Sequence, residues 1–174
     1  MTDHAQALVS KIEDRSALVG IIGLGYVGLP LALAFTEKGF NVLGFDTDPA
    51  KVEQLTAGEC YIKHLDCERV ERAVAGSLFE ATTDLARLAE PDAILICVPT
   101  PLGPHKEPDM RYVVGSSRAV RETLRPGQLV ILESTTYPGT TDDLLKPILE
   151  SPVKERATGG AGGKSEIRNS KSEI

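Results

Sequence analysis

Apolar residues in this chain cluster in short unbroken runs, and the stretches between them are amphipathic and end in glycine or proline. Segments 18–22, 41–45, 78–82, 93–98 and 129–132 have the length of strands and carry few charges. In 93–98 (Ala-Ile-Leu-Ile-Cys-Val) every position is apolar, the pattern of a parallel strand covered on both faces. The intervening segments predict helices over 26–38, 50–57, 66–75, 84–89, 111–124 and 140–149. Gly39, Gly58 and Gly76 stand where three of these should stop, Asp48-Pro49 and Asp84 where two should open, and Pro126-Gly127 just past a fourth. Strand and helix alternate throughout, which predicts an α/β fold: a doubly wound parallel sheet with right-handed crossovers. Residues 1–17 are polar and read either as a short amphipathic helix (Ala7, Leu8, Ile12) laid against the domain or as a frayed arm. Past Glu150 the pattern stops. Residues 151–174 combine Gly159-Gly160-Ala161-Gly162-Gly163 with Lys-Ser-Glu-Ile at 164–167 and again at 171–174, and are expected to form a low-complexity, disordered tail. The folded domain is thus expected over 18–150.

The first strand runs into Gly23-x-Gly25-x-x-Gly28 and then into the helical run Leu31-Ala32-Leu33-Ala34-Phe35. Strand, glycine turn and helix in that order form the fingerprint of a Rossmann-type dinucleotide-binding domain. Gly23 permits the sharp turn, Gly25 lets the backbone approach a pyrophosphate without a Cβ in the way, and Gly28 lets helix and strand pack closely. The free N–H groups and the positive end of the helix dipole then face the phosphates. The second strand ends in Asp46, 18 residues beyond Gly28, where a carboxylate accepts hydrogen bonds from the adenosine ribose hydroxyls. That charge would repel the extra phosphate of NADP, so the cofactor expected is NAD. Lys51 is placed either to reach the adenosine or phosphate edge of the cofactor or simply to open a surface helix.

Composition narrows the partners. A net charge of −6 disfavours nucleic acid and an anionic membrane surface, but not a nucleotide held by backbone amides. No run of 18 apolar residues occurs, so no transmembrane helix is expected, and the polar N-terminus has no apolar stretch of a signal peptide. Cys60, Cys67 and Cys97 are odd in number and contain no C-x-x-C pair, so neither a disulfide framework nor a metal site is expected. These features fit a reducing cytoplasm.

Two further motifs follow the glycine turn in order: Cys97-Val98-Pro99-Thr100-Pro101, and Glu133-Ser134-Thr135-Thr136-Tyr137-Pro138-Gly139-Thr140-Thr141. With all three, residues 18–150 resemble the N-terminal, NAD-binding domain of the UDP-glucose/GDP-mannose dehydrogenases. Tyr61-Ile62-Lys63-His64, with Pro99 and Tyr137-Pro138-Gly139, is most similar to the branch acting on UDP-N-acetylated amino sugars, such as UDP-N-acetylglucosamine 6-dehydrogenases. The resemblance implies two successive NAD-dependent oxidations that turn the C6 alcohol of a nucleotide sugar into a carboxylate, for surface polysaccharide precursors. It implies that Gly23, Gly25, Tyr26, Val27 and Gly28 cradle the pyrophosphate and that Asp46 and Lys51 bind the adenosine side. Val98, Thr100 and Ser134 would line the nicotinamide side. Segment 59–64 would form a loop over the cofactor crevice. Thr135 matches a threonine that positions a catalytic water; a hydroxyl there is also suited to capping a following helix.

The chain departs from the family pattern at the nucleophile. The family's second oxidation needs a cysteine in a Gly-x-Cys-x-x-x-Asp setting, because a thiohemiacetal holds the aldehyde. Gly58-Glu59-Cys60 matches the first half only, and position 64 is His. Cys67 lies in a helix pattern and Cys97 ends a buried strand, so none of the three is expected to be the catalytic thiol. The family's remaining catalytic motifs, long connecting helix and sugar-binding domain belong past residue 150, where the tail stands. The expectation is therefore a truncated NAD-binding part, inactive alone and without the family's homodimer. The alternative is a non-catalytic NAD-binding module or a half-enzyme needing a separately encoded C-terminal part. A short-chain oxidoreductase is excluded, since none of Tyr26, Tyr61, Tyr112 and Tyr137 has a lysine four residues on.

Overall fold

Five parallel strands, β1 (Leu18–Ile22), β2 (Asn41–Phe45), β3 (Phe79–Thr82), β4 (Ala93–Ile96) and β5 (Leu129–Leu132), form the sheet of the computed structural model. Residues 3–103 and 107–152 are described; the expected tail, apart from Ser151 and Pro152, lies outside the described residues. The strands run in the order β3-β2-β1-β4-β5, with Val19 of β1 level with Val42 of β2 and Ala93 of β4. Helices α1 (Asp3–Glu13), α2 (Gly28–Glu37), α3 (Pro49–Thr56), α4 (Cys67–Ala75), α5 (Arg111–Thr123) and α6 (Lys146–Glu150) complete the chain. Asp48 and Asp66 open α3 and α4 by accepting from Ala50 N–H at 3.0 Å and Glu68 N–H at 3.1 Å.

Alternation along the strands splits the core into two layers. Val19, Ile21, Val42 and Leu95 pack on one face against Leu29 and Leu33 of α2, Leu55 of α3 and Val70 of α4. Ile22, Leu43, Phe45, Ile94 and Ile96 pack on the other against Leu88, Val120 of α5 and Leu145. Burying each such side chain contributes about 1.5–3 kcal/mol, so neither layer is dispensable. This is the two-sided covering that the unbroken apolar runs predict.

Several boundaries differ from the sequence expectation, each for a local reason. Helix α2 begins at Gly28 rather than at 26, because Tyr26 and Val27 still belong to the glycine turn. Strand β5, an apolar run that the sequence alone would bury, is the sheet edge: among the described residues only β4 pairs with it, and Leu129 is 41% exposed. Segment 84–89 is a 3₁₀ turn over Leu85–Ala89, with Asp84 accepting from Ala86 N–H at 2.9 Å. Segment 140–149 divides into a π turn over Thr141–Leu145 and the short α6. Pro147 explains the division, since it has no N–H for the Asp143 carbonyl and its ring crowds that carbonyl.

The N-terminus forms a helix, but one that buries none of its residues against the domain. α1 is tethered through Lys11 Nζ, 2.8 Å from Asp92 Oδ1, and through Ala17 N–H donating to Lys11 O at 3.0 Å. Its Val9 and Ile12 remain exposed, so the apolar stripe is not its anchor. Asp92, just before β4, also accepts from Arg125 Nη2 at 3.0 Å and Leu18 N–H at 3.2 Å. Burial opposes its charge, but Lys11, Arg125 and the Leu18 amide outweigh burial and hold its carboxyl below the ordinary carboxylate value. Among the described residues no helix is long and apolar enough to cross a membrane.

Candidate functional site

The winding of the sheet reverses between β1 and β4, and the carboxyl ends of those strands open there into a crevice of about 720 Å³. Gly23 forms its inner corner. The residue sits at φ +92°, and a Cβ on it would lie 2.7 Å from Cys97 O, so only glycine fits. Gly25 borders the crevice, and a Cβ built there meets nothing within 4 Å. The space beside it is therefore free for a ligand. Among the described residues no backbone carbonyl takes the N–H of Gly25, Tyr26 or Val27. Gly28 does not itself line the crevice. A Cβ there would fall 1.9 Å from Gly23 O and 3.2 Å from Cys97 Cβ, so its absence lets α2 press against the turn.

Asp46 stands at the tip of β2, its side chain 9% exposed. One carboxylate oxygen accepts from Leu24 N–H at 3.0 Å and lies 3.4 Å from Lys51 Nζ; the other accepts from Asp48 N–H at 3.0 Å. The carboxylate thus braces the glycine turn while facing the crevice. Lys51, in the first turn of α3, pairs with Asp46 and lines the same cavity.

Across the crevice, Val98, Thr100, Ser134 and Thr135 come together from the ends of β4 and β5. Thr100 Oγ1 donates to Thr135 O at 2.7 Å, and Ser134 Oγ lies 2.8 Å from Val98 O. These hydroxyls stitch the two strand-end loops into one wall. Thr135 caps no helix, because the next helical turn begins six residues later. Cys97 also borders the crevice, but burial, then the charge of Glu133, pushes its thiol up to about 11. Cys60 and Cys67 lie outside the crevice. Among the described residues no group of three or more His, Cys, Asp or Glu could hold a metal ion.

One segment lies elsewhere than its sequence suggests, and one wall of the crevice comes from a helix face with no motif of its own. Segment 59–64 does not line the crevice; it packs on the core layer under α2, α3 and α4, where the Tyr61 hydroxyl donates to Leu24 O. That wall is α5, whose Tyr112, Gly115, Ser116 and Ala119 line the cavity together with Glu133. Their i, i+3, i+4, i+7 spacing is a helical stripe of mostly small residues, beside the face that buries Val113, Ser117 and Val120. That stripe was a signal available in the sequence.

Amides at a glycine turn with no backbone partner among the described residues, open space at Gly25 and a carboxylate at the β2 tip suit a dinucleotide, and the fold and crevice define a Rossmann-type, dinucleotide-binding domain. The sequence profile of the UDP-glucose/GDP-mannose dehydrogenase family, NAD binding domain, matches residues 17–167, and the chain belongs to that family, whose cofactor is NAD. It is 37% identical over 132 residues to the UDP-N-acetyl-D-glucosamine 6-dehydrogenase of Pseudomonas aeruginosa, covering 76% of this chain and 30% of that protein. It is 40% identical over 135 residues to the UDP-N-acetyl-D-mannosamine dehydrogenase of Escherichia coli K12, covering 77% and 31%. The crystal structure of NDP-N-acetyl-D-galactosaminuronic acid dehydrogenase from Methanosarcina mazei Go1 superposes with a TM-score of 0.73 at 36% identity, covering 82% of this chain and 33% of that one. The chain spans about three-tenths of the length of the curated relatives it matches.

Proposed function

We propose that this chain is the NAD-binding part of a nucleotide-sugar 6-dehydrogenase acting on a UDP-N-acetylhexosamine or UDP-glucose. The reaction turns the C6 alcohol into a carboxylate with two NAD reduced, supplying precursors of surface polysaccharides in the cytoplasm. The observation that carries this reading is the switch-point crevice with Asp46 at its rim, in a chain of this family. Asp46 accepts from the adenosine ribose hydroxyls, and Lys51 beside it serves the adenosine side. Gly23, Gly25, Tyr26 and Val27 present backbone to the pyrophosphate, with Gly28 holding α2 in place behind them. Val98, Thr100 and Ser134 border the nicotinamide, and Thr135 positions a water next to the reacting carbon. Bound NAD supplies the hydride acceptor.

A second reading, an NAD-binding module or half-enzyme that needs a separately supplied catalytic part, is favoured by one observation. Among the described residues the crevice thiol is Cys97, and a thiol pushed up to about 11 is protonated at neutral pH and does not attack an aldehyde. Both readings make the chain inactive alone and leave the sugar site and any homodimer to residues beyond this domain. Calorimetric titration with NAD, and NADP as control, tests the shared part. Saturable NAD binding is expected, weakened at least about tenfold in Asp46→Ala, a loss of about 1.4 kcal/mol. No binding of either cofactor would refute the assignment. Formation of NADH on adding a UDP-sugar to the chain alone would refute the inactivity.

A further inference from the structure

Leu24, between the first two glycines of the turn, is held at three points. Its side chain is fully buried in the core, its N–H donates to Asp46 Oδ2 at 3.0 Å, and its C=O accepts from the Tyr61 hydroxyl. The first two holds fix the peptide between Gly23 and Leu24. The third fixes the next peptide, whose N–H belongs to Gly25. The peptide bonds are trans, so the Gly25 N–H points away from the Leu24 carbonyl. That carbonyl is turned to Tyr61, which does not line the crevice, while Gly25 borders it.

We propose that Tyr61 is a positioning residue for the cofactor pyrophosphate: by gripping the Leu24 carbonyl from behind, it presets the Gly25 N–H as a donor to a phosphate oxygen. The proposal rests on the NAD reading above and adds a residue outside the crevice to it. Without the phenol, the peptide next to a glycine is free to rotate, and a carbonyl oxygen turned forward would repel phosphate. A donor fixed in advance spares the ligand the cost of ordering it. Tyr61 is itself well fixed. Its neighbour Ile62 is buried, and Lys51 Nζ sits 5.8 Å from its ring centre while also pairing with Asp46. Burial, then the charge of Asp46, raises the phenol further above its ordinary value, so it stays protonated as a donor.

A purely structural role, a half-buried hydroxyl satisfied by the nearest carbonyl, predicts a different result, and a set of ligands separates the two. The whole chain carrying Tyr61→Phe is titrated with NAD, ADP-ribose and adenosine. Expected is a loss of about fivefold for NAD and ADP-ribose, equivalent to about 1 kcal/mol, with adenosine binding unchanged even where the lost hydrogen bond lowers the melting temperature. Equal losses for all three ligands with a lowered melting temperature, or no loss for NAD, would overturn the proposal. Failure of the unsubstituted chain to bind NAD would overturn the cofactor reading and this proposal with it. If the Phe variant does not fold, the Gly25 amide of the free, unsubstituted chain decides. A nuclear magnetic resonance order parameter near about 0.85 supports a preset donor, and one below about 0.6 overturns it.

Discussion

Gly28 and Gly25 are three residues apart in one motif, yet their surroundings predict opposite consequences for adding a methyl group. In Gly28→Ala the new Cβ would lie 1.9 Å from Gly23 O. Gly23 cannot yield easily, since it sits at φ +92° and its N–H donates to Phe45 O at 2.7 Å. Helix α2 must retreat by roughly an ångström, and overpacking of this kind costs about 1–3 kcal/mol. Replacing a helical glycine with alanine returns about 0.5–1 kcal/mol, leaving a net loss of about 2 kcal/mol at most. For a domain of this size that lowers the melting temperature by about 4–8 °C. In Gly25→Ala the new Cβ meets nothing within 4 Å and the backbone is not at positive φ, so stability should not change. The methyl would instead occupy the ligand's space and weaken NAD binding by about tenfold or more, about 1.4 kcal/mol. Scanning calorimetry and NAD titration of both variants check the pair. An unchanged melting temperature in Gly28→Ala would refute the close packing of α2 on the turn. Normal NAD binding in Gly25→Ala would refute the placement of the pyrophosphate.

Two further outcomes follow from the charges and thiols. Asp92→Ala should lose about 2 kcal/mol, because it leaves the Leu18 amide without its carboxylate, whereas Lys11→Ala, removing a half-exposed ammonium, should lose under about 1 kcal/mol. Because the folded Asp92 carboxyl titrates below its ordinary value, the stability it gives is complete above about pH 4 and is lost as pH falls through the folded value. The melting-temperature gap between the wild type and Asp92→Ala should therefore close in acid; a gap that stays constant would refute the pairing. With its thiol pushed up to about 11, Cys97 should resist iodoacetamide at pH 8, where only about one molecule in a thousand is thiolate. The exposed Cys67 should react first, and rapid labelling of Cys97 in the folded chain, read by mass spectrometry, would refute its burial.

Most of the strands and the crevice's position were legible in the residues themselves. Unbroken apolar runs such as 93–98 arise because a parallel strand covered on both faces has no position left for water. Gly23-x-Gly25-x-x-Gly28 followed by Asp46 was legible because each residue answers a local need, a positive φ, an open face or a carboxylate at a strand tip. Ten of the expected site residues do line the crevice, and Gly28, which does not, supports it from behind.

What the sequence could not assign depends on partners far away in the chain. Tyr61 meets Leu24 across 37 residues, and Thr100 meets Thr135 across 35. No local pattern tells a loop that covers a crevice from one that braces it behind. The face of α5 was visible as a stripe of small residues, but its neighbour was not, because periodicity marks which side of a helix differs without naming what it faces. The edge position of β5 likewise follows from strand order, a property of the whole sheet. The sequence by itself determined the parallel α/β sheet, the glycine turn and the carboxylate at the β2 tip, since these rest on short-range sterics and burial. The tertiary structure alone decided which side chains share the crevice and which hold its backbone from behind, since those contacts exist only once distant segments pack.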